Sequence, residues 1–201
     1  MATSFKRIGL TGGIGSGKST LGRLLQERGF PIINADDISH ALTAPQGAAI
    51  EPIQQRFGPD FITPEGALDR ARMRQLVFND PSAKQALQSL LHPLILAGIQ
   101  QAEISCKDKG NSLVVIDIPL LVESAHWLAA LQQVIVVDCE EETQVLRVMQ
   151  RNHLSAAEVR QIMANQVSRR QRLAAADIVV FNNTHQLEDL KQQAQALQLQ
   201  N

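Results

Sequence analysis

Short apolar runs of strand length recur along the chain at residues 5–10, 31–34, 113–116, 134–137 and 178–181. Between them the apolar residues fall at helical spacing. Strands alternating with helices in this way predict an α/β fold with a mainly parallel sheet. After the first run, residues 18–28 read as a helix that Gly29 stops, with Pro31 just beyond to prevent its continuation. From 34 to 113 the alternation lapses into short helical patterns punctuated by Pro45, Pro52, Pro59, Pro64, Pro81 and Pro93, which predicts a helical insertion. Asp80-Pro81 has the form of a helix start, and 94–104 has the spacing of a helix packed on the sheet. Residues 141–151 and 156–166 predict a helical hairpin, the second helix opened by the capping-box pair Ser155 and Glu158. Its many basic side chains lie in a region able to move. Leu187, Leu190, Ala194 and Leu197 give the tail, 186–200, the spacing of a closing helix.

One motif carries chemistry. Gly12-Gly13-Ile14-Gly15-Ser16-Gly17-Lys18-Ser19 satisfies G-x-x-x-x-G-K-[ST] at every fixed position, after a strand and at the opening of a helix. Glycines let successive N–H groups turn inward around a polyphosphate, and the helix behind them adds a positive dipole end. Lys18 can reach the β and γ phosphates, and the Ser19 hydroxyl can hold Mg²⁺. Neither the guanine-reading N-K-x-D nor a D-x-x-G switch element occurs, which weakens a GTPase reading. A kinase acting on a small hydroxyl compound needs a carboxylate near the end of a neighbouring strand, and Asp36 and Asp37 follow the second run. Asp36 reads either as that carboxylate or as a helix cap. Asp117, at the end of the 113–116 strand, reads either as a Mg²⁺ support or as a turn residue before Pro119. Arg147 and Arg151, four apart, read as a lid over ATP or as a solvated stripe. Arg70, Arg72 and Arg74 suit a phosphate-bearing acceptor or plain surface charge, and His92 stands at a helix boundary before Pro93.

Composition narrows the partners. With 201 residues, 44% hydrophobic and 19% charged, one compact domain is expected and a disordered or fibrous chain is excluded. A formal net charge of −1 supplies no overall positive field to hold nucleic acid or an anionic membrane. Aromatics at 3%, with no Tyr, leave few platforms for stacked bases. Cys106 and Cys139 match no metal or redox spacing, no secretory apolar segment opens the chain, and no apolar run could cross a bilayer. These features predict a soluble protein in a reducing cytoplasm.

With those residues assembled, the chain resembles the dephospho-CoA kinase family over nearly its whole length. Leu10-Thr11 through Lys18-Ser19-Thr20 is similar to the family's narrower form of the phosphate loop. Phe57-Gly58, Gly66 with Arg70, Phe78, His92-Pro93-Leu94-Ile95, Asp117 to Glu123, Arg147 to Arg151, Gln166, and Ala176-Asp177 with Asn182 recur in the family's order and spacing.

The resemblance implies a three-layer, nucleoside-monophosphate-kinase-like fold in a single domain. A five-stranded parallel core would be built from about 1–36, 110–140 and 174–201, with a helical substrate-binding insertion over about 37–109 and a lid over about 141–173. It implies ATP-dependent phosphorylation of the ribose 3′-hydroxyl of dephospho-CoA to CoA and ADP, with Mg²⁺, by a monomer or small homo-oligomer. Asp36, Lys18 and Arg147 would be catalytic. Gly12, Gly13, Ile14, Gly15, Ser16, Gly17, Lys18, Ser19, Thr20, Arg147 and Asn182 would bind ATP, with Asn182 near the adenine. Asp36, Arg70, His92 and Asp117 would bind the acceptor, and Ser19 and Asp117 the metal. The chain departs from the family at Asn34, where an aspartate is usual, at His40 in place of an arginine, and at Arg172 in place of a lysine. Another small-molecule kinase with a nucleoside or nucleotide acceptor, or an ATP-binding regulatory module without turnover, are the competing readings.

Overall fold

The computed structural model describes residues 5–123, 125–184 and 186–199, with the backbone alone for 125 and 126. Strand β1 (Lys6–Gly12) leads through a glycine loop into α1 (Lys18–Glu27), and the chain returns as β2 (Ile32–Asn34). Helices α2 (Ala35–Leu42), α3 (Ile50–Phe57), α4 (Arg70–Asn79) and the long α5 (Pro81–Asp108) follow, with a 3₁₀ turn at Pro59–Phe61. Then come β3 (Leu113–Asp117), α6 (Ala125–Ala129), β4 (Gln133–Asp138), α7 (Glu141–Asn152), α8 (Ala156–Ala164), α9 (Arg169–Ala174), β5 (Ile178–Phe181) and α10 (Leu187–Ala196). The chain divides into two compact units, one of residues 34–105 and the other of everything before and after them.

Among the described residues the strands form one five-stranded sheet in the order β2-β3-β1-β4-β5. β1 pairs in parallel with β3, Leu10 opposite Asp117, and with β4, Gly12 opposite Val137. β4 pairs in parallel with β5, Ile135 opposite Ile178. The strands after β1 fill one side of it and then the other, so the winding reverses at β1. Open α/β sheets bind ligands beyond the carboxyl ends of strands at such a reversal. The register brings the ends of β1, β3 and β4, at Gly12, Asp117 and Asp138, out along one edge.

Both faces of the central strands are covered, which is why they read as unbroken apolar runs rather than as alternating ones. On one face Ile8, Leu10, Leu113, Val115, Ile135 and Val137 pack against Leu21, Leu24 and Leu25 of α1 and Leu190 and Ala194 of α10. Each large side chain fully buried there contributes about 2 kcal/mol. α1 stops where the glycine requires it. Gly29, at φ 88°, lets its own N–H reach Gln26 O and that of Phe30 reach Leu25 O, closing the last turn.

The second unit has a smaller core of Ala49, Ile53, Leu68 and Met73, with Leu42, Phe57 and Phe61 packed against it. Here the proline-punctuated pattern resolves into four helices among the described residues. Pro93 does not end a helix: α5 runs through it, with the ring on an exposed position where the lost backbone bond is exchanged for water. His92 therefore lies inside a helix and not at a boundary. The tail helix stops at Ala196, short of the expected 200, because the Arg28 guanidinium takes the carbonyls of Ala194 and Leu197. Leu199 then packs into the core, fully buried, as irregular chain.

Candidate active site

The glycine loop is shaped by backbone conformations that only glycine adopts cheaply. Gly15 and Gly17 have φ of 76° and 95°, and a Cβ on Gly15 would stand 2.8 Å from Gln144 O and 2.9 Å from Val148 Cγ2. Gly17 is the N-cap of α1 and offers no side chain to the helix end. The first amides of α1, which have no acceptor within the helix, thus face the loop uncovered. Ser16 N–H closes the turn onto Gly13 O at 3.1 Å, and Ile14 N–H donates to Gln166 Oε1 at 3.1 Å.

Lys18 Nζ donates to Asp117 Oδ1, an ion pair joining the loop to the end of β3. The Asp117 side chain is 4% exposed and that of Lys18 15%, so the ammonium is held at a largely dry position where a phosphate oxygen would compete for it. Arg147 reaches back from α7 and donates to Gly15 O at 3.4 Å, Asn182 O at 2.9 Å and Thr184 O at 2.5 Å. The Asn182 amide, 8% exposed, donates to Ser16 O at 2.7 Å. Asn182 therefore holds the loop itself. Arg151, expected on the same face as Arg147, is exposed and bonds the neighbouring Asn152.

Two features behind the loop were not singled out as site residues from sequence. Arg169 forks onto Asp138 at the end of β4, with N···O distances of 2.9, 3.1 and 2.7 Å. Gln144, 1% exposed, donates to Cys139 O, while its Oε1 has no partner among the described residues; the same holds for the buried Ser16 Oγ. Such orphaned atoms cost about 1–3 kcal/mol each and concentrate where a protein holds structure for function. The signal for α9 was present in Ser168-x-x-Gln171, a second capping box identical in spacing to that at Ser155.

Cys139 is buried in this region, and desolvation pushes its thiol pKa up despite the positive charge of Arg147. A thiol held neutral and buried is a poor nucleophile. Titration of the native protein at pH 8 with a disulfide reagent should label the partly exposed Cys106 first and Cys139 only on unfolding. Equal rates in the native protein would refute this.

In the second unit, Asp36 is exposed in the first turn of α2, and it is not the cap. Asn34 is: its Oδ1 accepts from Asp36 N–H at 2.9 Å and Asp37 N–H at 3.3 Å. An amide oxygen caps a helix as well as a carboxylate does, which accounts physically for Asn34 in place of aspartate. The arginine cluster separates. Arg70 Nη2 donates to the buried Thr43 Oγ1 at 2.5 Å, Arg72 turns to Asp60 O at 2.6 Å beside the Phe61 ring, and Arg74 is exposed. His92 is half-buried within α5.

A Mg²⁺ ion wants hard oxygen donors and usually takes only one or two from protein, the rest from phosphate and water. The exposed Ser19 hydroxyl and the Asp117 carboxylate, in one unit with the loop, are donors of that kind. Among the described residues no group of three or more His, Cys, Asp or Glu side chains forms a cation cage. The donor chemistry fits an ion brought in by a polyphosphate. No helix among the described residues is long and apolar enough to cross a membrane.

Known proteins share this sequence pattern and fold. A curated dephospho-CoA kinase of Albidiferax ferrireducens is 51% identical over 178 residues, spanning 89% of this chain and 84% of that protein. Among solved structures, TT1252 from Thermus thermophilus superposes with a TM-score of 0.82 at 33% identity over 96% of both chains. Dephospho-CoA kinase from Campylobacter jejuni does so with a TM-score of 0.69 at 29% identity over 94% and 92%. The family model described as dephospho-CoA kinase matches residues 6–188, and with a phosphate loop, its lysine and the strand-end carboxylate in place, the chain belongs to the dephospho-CoA kinase family.

Proposed function

We propose that this chain transfers the γ-phosphoryl group of ATP to the ribose 3′-hydroxyl of dephospho-CoA, giving CoA and ADP, in one in-line step without a phosphoenzyme. The observation that carries this reading is the match to the family model over residues 6–188, on a chain whose glycine loop has its lysine paired to the β3 carboxylate. The loop amides and Lys18 take the β and γ phosphates, and Gly12 through Thr20 with Asn182 form the nucleotide site. Arg147 neutralises charge on the transferring group while holding Gly15 and the 182–184 segment. Ser19 and Asp117 would hold Mg²⁺, which when bound supplies charge neutralisation on the phosphates.

Asp36 acts on the acceptor. A ribose hydroxyl is too weak an acid to ionise beforehand, and the phosphoryl-transfer transition state is loose. The carboxylate therefore orients the hydroxyl and accepts its proton late, as the 3′-O–P bond forms and the bond from phosphorus to the β-phosphate oxygen breaks. Arg70, His92 and Asp117 belong to acceptor binding in this reading. The organisation is one kinase domain with residues of the second unit as the acceptor-binding insertion and the α7–α9 region as the lid, working in the cytoplasm.

Incubation with Mg²⁺, ATP and dephospho-CoA beside adenosine and AMP, followed by mass spectrometry, tests the reading. Conversion of dephospho-CoA to CoA with little turnover of the others is expected. Efficient turnover of a competitor would replace the substrate, and ATP binding with no product would turn the chain into a regulatory module. Arg147→Ala should raise KM for ATP and lower kcat, together about 10²-fold in kcat/KM. The KM for dephospho-CoA should change little, and the reverse pattern would remove Arg147 from the nucleotide site.

A further inference from the structure

At Gly13 the place a side chain would take is closed by two side-chain tips. A Cβ built there would stand 2.7 Å from Gln144 Oε1 and 3.0 Å from Arg172 Nη2. These tips come from α7 and α9, and the next residue of the loop, Ile14, is held through Gln166 from the segment between α8 and α9. Arg172 is 7% exposed. Its Nη1 donates to Val167 O at 3.0 Å, and among the described residues no carboxylate pairs with it. Arg169, one helical turn earlier, has its charge answered by Asp138; Arg172 does not.

A buried guanidinium without a counter-ion is costly, and the cost is visible in a pKa lowered by desolvation. Glu123, Asp138 and Glu141 offset it only at a distance. Arg172 Nη1 faces the Val167 carbonyl, and its Nη2, like the unpartnered Gln144 oxygen, faces the place a side chain at Gly13 would take. Such a charge is worth keeping where a polyanion comes to the other side of the same peptides. There it adds a fixed positive potential in a dry environment and cannot move away.

The geometry points to Arg172, with Gln144 filling the same space beside Gly13, as a positioning residue of the nucleotide site that fixes the Gly13–Ile14 turn from behind and supplies buried positive charge to the phosphates bound in front. It acts through the loop and does not touch the acceptor. This inference rests on the nucleotide half of the proposed function. It explains why position 13 is glycine although its φ is not in the left-handed region: the space for a side chain is already taken.

The test compares the wild type with Arg172→Lys and Arg172→Met. It uses calorimetric titration of ADP and, separately, of dephospho-CoA, with Tm recorded for each protein. Arg172→Met should weaken ADP binding by roughly ten- to thirtyfold. Dephospho-CoA binding should change by less than about twofold, and Arg172→Lys should restore ADP binding to within about threefold of wild type. If the Met variant does not fold, Arg172→Gln keeps a donor for Val167 O without the charge and carries the same expectation. Unchanged ADP binding in the neutral variant would overturn the proposal. So would an equal loss for both ligands that the lysine does not rescue, since that is the signature of a residue that merely packs. Wild-type titration of ADP stands whatever the acceptor proves to be, so failure of the acceptor assignment would be seen separately.

Discussion

Lys18→Ala should lower kcat by at least about 10³-fold and, unusually for a catalytic lysine, should also lower Tm. Loss of a preorganised charge aimed at the transferring phosphoryl group accounts for the first effect. The second follows from Asp117, whose side chain is 4% exposed and whose ion pair with Lys18 the alanine removes. Taking away one partner of a buried pair costs about 3 kcal/mol, the low end for such pairs because the lysine keeps some access to water. The two effects separate in the double variant Lys18→Ala/Asp117→Asn. Neutralising the carboxylate should recover most of the lost Tm and none of the lost turnover. If the double variant is no more stable than Lys18→Ala, the pair is not what stabilises the end of β3. If Lys18→Ala retains near wild-type kcat, Lys18 has no part in the transfer.

The same pair shows how far the sequence could be read. The phosphate loop and the carboxylate ending a buried strand are both local patterns, each forced by chemistry at fixed spacing, and both stand where expected. The strands at 113–116 and 134–137 were legible because burial on both faces leaves nothing but apolar residues to choose from; that at 178–181 was legible from its run of β-branched and aromatic residues, although Val179 and Phe181 are exposed. Helix ends were legible where a single residue decides them, as at Gly29 and Ser155. What escaped depends on contacts distant in sequence. Nothing near Arg169 announces Asp138, 31 residues away, and nothing near Gln144 announces Gly13. Pro93 misled because a proline on the solvent side of a long helix looks in sequence like one that ends it. Arg147 and Arg151 share a helical face by spacing, yet only Arg147 reaches the loop, because the neighbouring Gly15 and Ser16 carbonyls lie under one turn of α7 and not the next.

Asp36→Asn should lower kcat by about 10²- to 10⁴-fold, the range for a positioned general base, and leave KM for dephospho-CoA within a few-fold. The variant is unusually clean because Asp36 carries no capping duty. Asn34 already accepts the N–H groups of residues 36 and 37, so α2 keeps its first turn when the charge at 36 is removed. Tm should therefore move little, and the kinetic loss can be read as chemistry. The amide keeps the size and one acceptor oxygen of the carboxylate and cannot take a proton, so it can still orient the hydroxyl while failing to receive its hydrogen. In a loose transition state that hydrogen leaves late, and the loss should sit in the transfer step. Single-turnover measurement with enzyme in excess over dephospho-CoA should show the same fold-loss as kcat. A variant with normal single-turnover rate and a raised KM would make Asp36 a ligand for the acceptor and leave the proton to another group.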